Sequence, residues 1–194
     1  LQKHFGLTGK SSLLDVGCAK GFMLHDLVEL IPDITVSGVD VSDYAIAHAM
    51  DDIKSKVQVA DARDLPFADN SFDVVISINT IHNLDRDGCA QALREIKRVS
   101  RKGSFITVDA YRNDDEKERM LAWNLTAKTI MSVDEWVSFF EEVGYTERFP
   151  GWKEDADGSQ RISKEEFVIP LINAIQELRA EVEMLKEKLN NGDS

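Results

Sequence analysis

The chain has 194 residues, 35 of them acidic against 23 basic for a formal net charge of −12, and 43% of it is hydrophobic. That length suffices for one domain of ordinary size with a full core and a short appendage, and the acidic balance argues against a nucleic-acid target, since phosphate backbones are gripped by clustered Lys and Arg. Cys18 and Cys89 have no paired spacing, no stretch approaches a membrane span and no signal peptide is visible, so the expectation is a cytoplasmic protein without disulfides or a membrane partner.

The first informative segment is Ser12 to Gly21, an apolar run (Leu13, Leu14, Val16) that enters a glycine-marked turn. It reads as a central parallel strand followed by a helix from about Phe22 to Ile31, which Pro32 ends. Gly17 and Gly21 permit φ > 0 and let backbone approach a ligand closely. A phosphate-binding loop would end in Gly-Lys-Ser/Thr, but here Lys20 precedes Gly21 and Phe22 follows it. A dinucleotide fingerprint needs a second glycine where Ala19 stands, and alanine there calls for a loop that avoids strongly positive φ. Cys18 reads as a small packed side chain with a backbone role, since no base accompanies it.

Further along, residues 34–40 form a second β-rich run ending in Asp40, 19 residues beyond Gly21. Ser42 can cap a helix from Asp43 to about Met50, and residues 56–61 read as a third strand ending in Asp61. The stretch Leu65 to Asp73 leads into a fourth apolar strand over 74–78, followed by Asn79, Thr80, Ile81, His82 and Asn83. Residues Ala90, Leu93, Ile96 and Val99 mark an amphipathic helix whose end carries Lys97, Arg98, Arg101 and Lys102, read as complements to the helix dipole. A fifth strand is expected over 103–109. Taken singly, Asp40 could be no more than a helix cap and Asp61 a solvated loop acid.

Taken in order, residues 12–109 resemble the class I S-adenosylmethionine-dependent methyltransferases, whose first motif is a strand-end acid followed by G-x-G-x-G; this chain presents Asp15, Gly17, Ala19 and Gly21. The resemblance implies an α/β, Rossmann-like, doubly wound and mostly parallel sheet with helices on both faces. It implies S-adenosylmethionine as cofactor, with Asp15, Gly17, Cys18, Ala19, Gly21, Asp40, Val41, Asp61, Ala62 and Asn79 as its binding residues and no metal. Asp40 would accept the ribose hydroxyls, while Asp61 and the Ala62 amide would read the adenine edge. A doubly wound dehydrogenase is the weaker fit, for want of the middle glycine. The reaction implied is methyl transfer to an O, N or C atom of a small-molecule acceptor, such as a sugar or related metabolite. The alternative is a non-catalytic cofactor- or nucleotide-binding assembly module. His82 is the candidate general base, because it lies at the carboxyl ends of the strands, where open α/β sheets bind ligands. Asp109 and Tyr111 are the poorer candidates, and His82 could instead cap the next helix.

In the second half, a charged helix is expected near residues 114–123. A second helix opens with a capping box, Ser132 with Glu135, and stops at Gly144, and a strand follows over 145–149. Trp123, Asn124 and Trp136 could wall a substrate pocket, although aromatics at helical spacing are more often core. A last strand could be represented by residues 151–154.

The domain expectation is 1–150 for the enzyme, 151–165 for a linker, 166–190 for a coiled-coil helix and 191–194 for a disordered tail. Val168, Ile175, Val182 and Leu189 fall at heptad position a, and Leu171, Leu178 and Leu185 at position d. This predicts a homo-oligomer through residues 168–189, either dimer or trimer. The region around 157–178 also resembles the trimer-forming stalk of phage tail-fibre chaperone domains. A competing pattern places Asp155, Asp157, Ser159, Arg161, Ser163 and Glu166 at EF-hand ligand positions, but Gln160 occupies the place of the required glycine.

Overall fold

The computed structural model describes residues 1–145 together with residues 152–154 and 160–162. The chain divides into the units Leu1–Thr146 and Glu147–Ser194. After a short helix α1 (Gln2–Phe5), the first unit is built on five strands: β1 (Ser12–Val16), β2 (Thr35–Asp40), β3 (Val57–Val59), β4 (Phe72–Ile78) and β5 (Ser100–Thr107). They form one all-parallel sheet in the order β3-β2-β1-β4-β5. Helices α2 (Phe22–Leu30), α3 (Asp43–Ala47) and α4 (Arg86–Val99) supply the crossovers. The chain winds outward from β1 to β3, then restarts at β4 on the other side of β1. The point of reversal therefore lies between the carboxyl ends of β1 and β4, which is where such sheets open a crevice.

Alternation along the strands divides the core between two faces. Leu14, Val16, Val39 and Val75 cluster with Cys89, Leu93 and Ile96 of α4. Residues of opposite parity meet α2: a Cβ added to Gly38 would lie 2.7 Å from Leu24 Cδ1 and from Cys18 Sγ. This glycine is what lets α2 settle on β2, and its need was not evident from the strand pattern. Helix α4 is amphipathic as expected. Asp85 caps it by accepting the Gly88 N–H at 2.8 Å, and Cys89, Ala92, Leu93, Ile96 and Val99 are buried along one face.

The basic cluster after α4 does more than offset a helix dipole. Arg98 donates to the carbonyls of Phe67 (2.7 Å) and Leu65 (3.0 Å) and pairs with Glu95 and Asp69, holding the loop that feeds β4. Arg101 and Lys102 pair with Asp73, and Lys97 donates to the Gly144 carbonyl. Asp73 in turn accepts the Ser12 N–H at 2.9 Å, so the starts of β1 and β4 are joined.

Other expectations shift at the element ends. Helix α3 stops at Ala47 rather than Met50, and β3 runs only over Val57–Val59, its start set by a 3-10 turn at Lys54–Lys56. Strand β5 begins directly at Ser100, where Gly103 at φ 156° accompanies a register shift opposite Phe72 and Val74. It ends at Thr107 instead of Asp109. Helix α5 (Asp114–Trp123) is capped by Asn113, and α6 (Val133–Glu142) has the full Ser132–Glu135 capping box. An unanticipated parallel pair accompanies them, β6 (Ala110–Tyr111) before α5 with β7 (Met131–Ser132) before α6. Tyr145 is not in a strand, and residues 146–149 lie outside the described residues.

In the second unit, β8 (Trp152–Glu154) pairs antiparallel with β9 (Gln160–Ile162), so 152–154 is one strand of a two-stranded sheet. Residues 160–162 of the EF-hand-like pattern are thus in β9; the rest of that pattern, the heptads over 168–189 and the 191–194 tail lie outside the described residues. No helix among the described residues is long and apolar enough to cross a membrane.

Because Arg98 satisfies two loop carbonyls and two carboxylates at once, Arg98→Ala is expected to cost about 2 kcal/mol in a denaturant titration. Arg98→Lys should recover less than half of that, since an ammonium cannot reproduce the planar fork.

Candidate functional site

The carboxyl ends of β1, β2 and β3 place Asp15, Asp40 and Asp61 on adjacent strand tips. The Ala60 N–H reaches the Asp40 carbonyl at 3.0 Å, which carries the third tip alongside the second. Between β1 and α2 runs the loop Gly17–Gly21. The Gly17 and Cys18 amides both donate to the Val39 carbonyl, at 2.8 and 3.0 Å, and the Gly21 amide donates to the Cys18 carbonyl. These donors face inward, which agrees with the absence of a phosphate-loop sequence. The Cys18 amide is thus engaged within the fold, and its side chain is buried as expected. The Cys18 thiol is pushed up to about 12 by burial and by the Asp15 and Asp40 charges, so it is no nucleophile.

Ala19 corrects an expectation. Its φ is +48°, in the left-handed region that the alanine was expected to exclude. The conformation costs about 1 kcal/mol for a residue with a Cβ, and Asp40 offsets it: Oδ2 accepts the Ala19 N–H at 2.8 Å while Oδ1 accepts the Ser42 N–H at 2.9 Å. One lone pair on each oxygen remains in principle for a second donor. Val41, next in sequence, is 73% exposed.

Asp15 is buried, and no hydrogen bond to its carboxylate is found among the described contacts. Burial first, and the Asp40 carboxylate second, push its carboxyl up to about 7. Two glycines let neighbouring side chains pack directly against the loop backbone. A Cβ on Gly17, at φ +88°, would overlap the Thr80 side chain, and one on Gly21, at φ +82°, would lie 2.7 Å from Ile53 Cγ2. Gly17 against Thr80 also brings the exits of β1 and β4 into contact. Sequence reasoning gave Thr80 no role and read Ser42 only as the cap of α3, which it is, its hydroxyl accepting the Ala45 N–H.

The β4 exit begins at Asn79, whose φ of +52° is tolerable for asparagine. Its Oδ1 accepts the Thr107 hydroxyl at 3.0 Å and its amide donates to the Thr107 carbonyl at 3.1 Å, which ties β4 to β5. His82 follows in a 3-10 turn (Ile81–Asn83) and is only 4% exposed. Its Nδ1 accepts the Asp109 N–H at 3.1 Å, which places the ring proton on Nε2, 3.6 Å from Asp109 Oδ2. Burial lowers the His82 pKa against the pull of Asp109. The imidazole is therefore neutral with its lone pair engaged, which corrects the expectation of a ready general base. The Asp109 carboxylate, 33% exposed, is the accessible member of the pair. The Asp109 carbonyl accepts the Trp136 Nε1–H at 3.1 Å, and Trp136 is buried, so it is core rather than pocket wall. Tyr111 donates its hydroxyl to Glu135 at 3.3 Å. Trp123 is 59% exposed, beside Leu121 and Leu125 at 54% and 93%.

Asp61 is held differently. Its carboxylate accepts the Arg63 N–H at 2.8 Å and a forked pair from the guanidinium, Nε to Oδ1 at 3.0 Å and Nη2 to Oδ2 at 2.6 Å. That pairing keeps the Asp61 carboxyl below its ordinary range. Ala62 packs against the main core cluster.

Residues 14–108 match the family model described as "Methyltransferase domain". That match, with the relatives and the solved structure below, supports a class I S-adenosylmethionine-dependent methyltransferase domain over this segment. S-Adenosylmethionine is the cofactor of the family, and the residues present suit it: a buried carboxylate for a cationic ligand, and a second carboxylate, Asp40, at the neighbouring strand tip with a lone pair on each oxygen left for hydroxyl donors. Similar proteins span several acceptors. A tRNA (carboxymethyluridine(34)-5-O)-methyltransferase of Arabidopsis thaliana is 32% identical over 134 residues, covering 68% of this chain and 31% of that protein. A 27-O-demethylrifamycin SV methyltransferase of Amycolatopsis mediterranei is 28% identical over 195 residues, covering 82% of this chain and 69% of the relative. The crystal structure of the MccD protein superposes with a TM-score of 0.59 at 28% identity, covering 73% of this chain and 66% of that one.

The Asp15 carboxyl gives a signed pH prediction. Its folded pKa, about 7, lies above the ordinary 3.8, so the folded protein holds an extra proton between these values and stability falls as pH rises through that window. The difference amounts to roughly 4 kcal/mol by pH 8. Asp15→Asn is expected to flatten the slope of unfolding free energy between pH 4.5 and 8, as measured by urea titration across that range.

Proposed function

We propose that this chain transfers the methyl group of S-adenosylmethionine to a nucleophilic O, N or C atom of a small-molecule acceptor. The observation that carries this reading is the row of carboxylates at the tips of β1, β2 and β3, beside a glycine-lined contact between the β1 and β4 exits. Asp15 would meet the cationic part of the cofactor, Asp40 its ribose hydroxyls, and Asp61 with Ala62 its adenine edge, with Val41 and Asn79 flanking it. When bound, the sulfonium supplies an electrophilic methyl carbon and a neutral thioether leaving group. The protein's part is to orient the acceptor and exclude water, which can contribute several kcal/mol without a covalent step. An acceptor that loses a proton needs a base, and Asp109 is the group the geometry favours, with His82 holding it in place.

A small acceptor fits the chain better than a nucleic acid. The net charge is −12, and Arg98, Arg101, Lys97 and Lys102 are all engaged with internal partners. The heptads over 168–189 support self-association of the chain.

Isothermal titration with S-adenosylhomocysteine tests the reading. Binding is expected in the wild type and about tenfold weaker in Asp40→Ala, which removes the acceptor of the Ala19 amide as well as the ribose partner. No heat from the folded wild type, by this ligand or by S-adenosylmethionine, would overturn it. For the proton step, Asp109→Asn is expected to lower turnover on a proton-losing acceptor about a hundredfold while leaving homocysteine-ligand affinity within about twofold. His82→Gln should lower turnover less and shift the pH profile. An unchanged rate in Asp109→Asn would remove that residue from the chemistry.

A further inference from the structure

We propose that Arg63 competes with the cofactor's 6-amino group for the Asp61 carboxylate, and thereby sets both the affinity for the adenosyl group and the tolerance for other purine edges. The inference rests on the reading that Asp61 faces the adenine. A carboxylate offers about four lone-pair directions. In this structure Oδ1 accepts the Arg63 amide at 2.8 Å and Arg63 Nε at 3.0 Å, while Oδ2 accepts Nη2 at 2.6 Å and Nε at 3.1 Å. An incoming amino group therefore finds its acceptor already filled, and it must displace the guanidinium.

Three features make displacement feasible. The pair is exposed, 50% for Arg63 and 35% for Asp61, so it is worth little in water and is screened by salt. The bond from the Arg63 amide is independent of the guanidinium, so Asp61 keeps its orientation when the fork opens. A second carboxylate is close by. Arg63 Cδ lies 3.4 Å and Asp85 Oδ1 2.8 Å from the position a Cβ would take on Gly88, and the field of Asp85 also acts on the guanidinium. The Arg63 side chain thus runs along the first turn of α4 between two acids, and Asp85 stabilises it when Asp61 is taken.

The competition has a consequence for selectivity. A 6-amino group and the guanidinium are both donors and exclude each other at Asp61, whereas a 6-oxo purine is repelled by Asp61 and is accepted by the donors of Arg63. Arg63 therefore weakens the proper ligand and shelters the wrong one.

Titration calorimetry on the full chain with S-adenosylhomocysteine and its 6-oxo counterpart, S-inosylhomocysteine, tests this. Arg63→Met keeps the packing of the stem without the donors. It is expected to bind S-adenosylhomocysteine about threefold tighter than wild type and the 6-oxo ligand more weakly, widening the preference by roughly fivefold or more. The tightening should be absent in an Asp61→Asn background and should shrink between 50 and 500 mM salt, as an exposed ion pair requires. Equal or weaker adenosyl binding by a folded Arg63→Met, with wild type binding normally, would overturn the competition and leave the cofactor assignment standing. Failure of both folded proteins to bind would overturn the cofactor assignment and this inference with it.

Discussion

The Asp40 carboxylate is the interaction on which the site depends. One oxygen holds the Ala19 amide and the other the Ser42 amide, so a single side chain fixes the turn after β1 and the start of α3. Without it, Ala19 has no compensation for its left-handed backbone, and the Gly17–Gly21 loop keeps only the Gly17 and Cys18 amides on the Val39 carbonyl as its ties to β2. The carboxylate thus acts on the loop before any ligand does. A helix-cap reading and a ligand-binding reading of Asp40 are therefore not rivals, because the lone pairs used in the first leave others for the second.

Electrostatics at the tips follow from burial. Asp15 stands in the interior with Asp40 as a neighbouring like charge, an arrangement that raises its carboxyl toward neutrality and makes a nearby cation favourable. Such a site is destabilising to the free protein and complementary to a positively charged ligand, the usual compromise between stability and binding. At the far end of the same sheet the balance is reversed. Asp73 is met by Arg101, Lys102 and the Ser12 amide, and it lies below its ordinary range. The same residue type at opposite ends of the strands is thus set for binding in one case and for holding strands together in the other.

The exits of β4 and β5 are joined by side chains rather than by sheet ladder alone. Asn79 with Thr107, and His82 with the Asp109 amide, close the gap left where β5 ends. A buried imidazole that accepts a backbone N–H resembles a structural bracket more than a proton shuttle. It leaves the partly exposed Asp109 carboxylate facing outward. The orientation of that carboxylate depends on His82, so the two act as a pair with distinct parts.

Much of this architecture was legible in the amino-acid order. Apolar runs bounded by Gly17, Asp40, Asp61 and Asn79 marked four strand ends, and the Ser132–Glu135 spacing marked a helix start, because strand burial and helix capping are short-range rules that neighbouring residues satisfy. Element ends were less legible. Helix α3 ends at Ala47 and strand β3 at Val59, short of the expected residues, and β5 starts at Ser100 with a register shift opposite Phe72 and Val74. What only the tertiary structure decided were contacts between residues far apart in the chain. Gly38 is needed because Leu24 and Cys18 press on it, Ala19 is left-handed because Asp40 reaches its amide, and His82 is neutral because the Asp109 amide occupies its lone pair. Strand-end acids announce themselves by position, whereas the protonation and availability of each depend on which donors the fold carries to it, and local sequence holds no record of those distances.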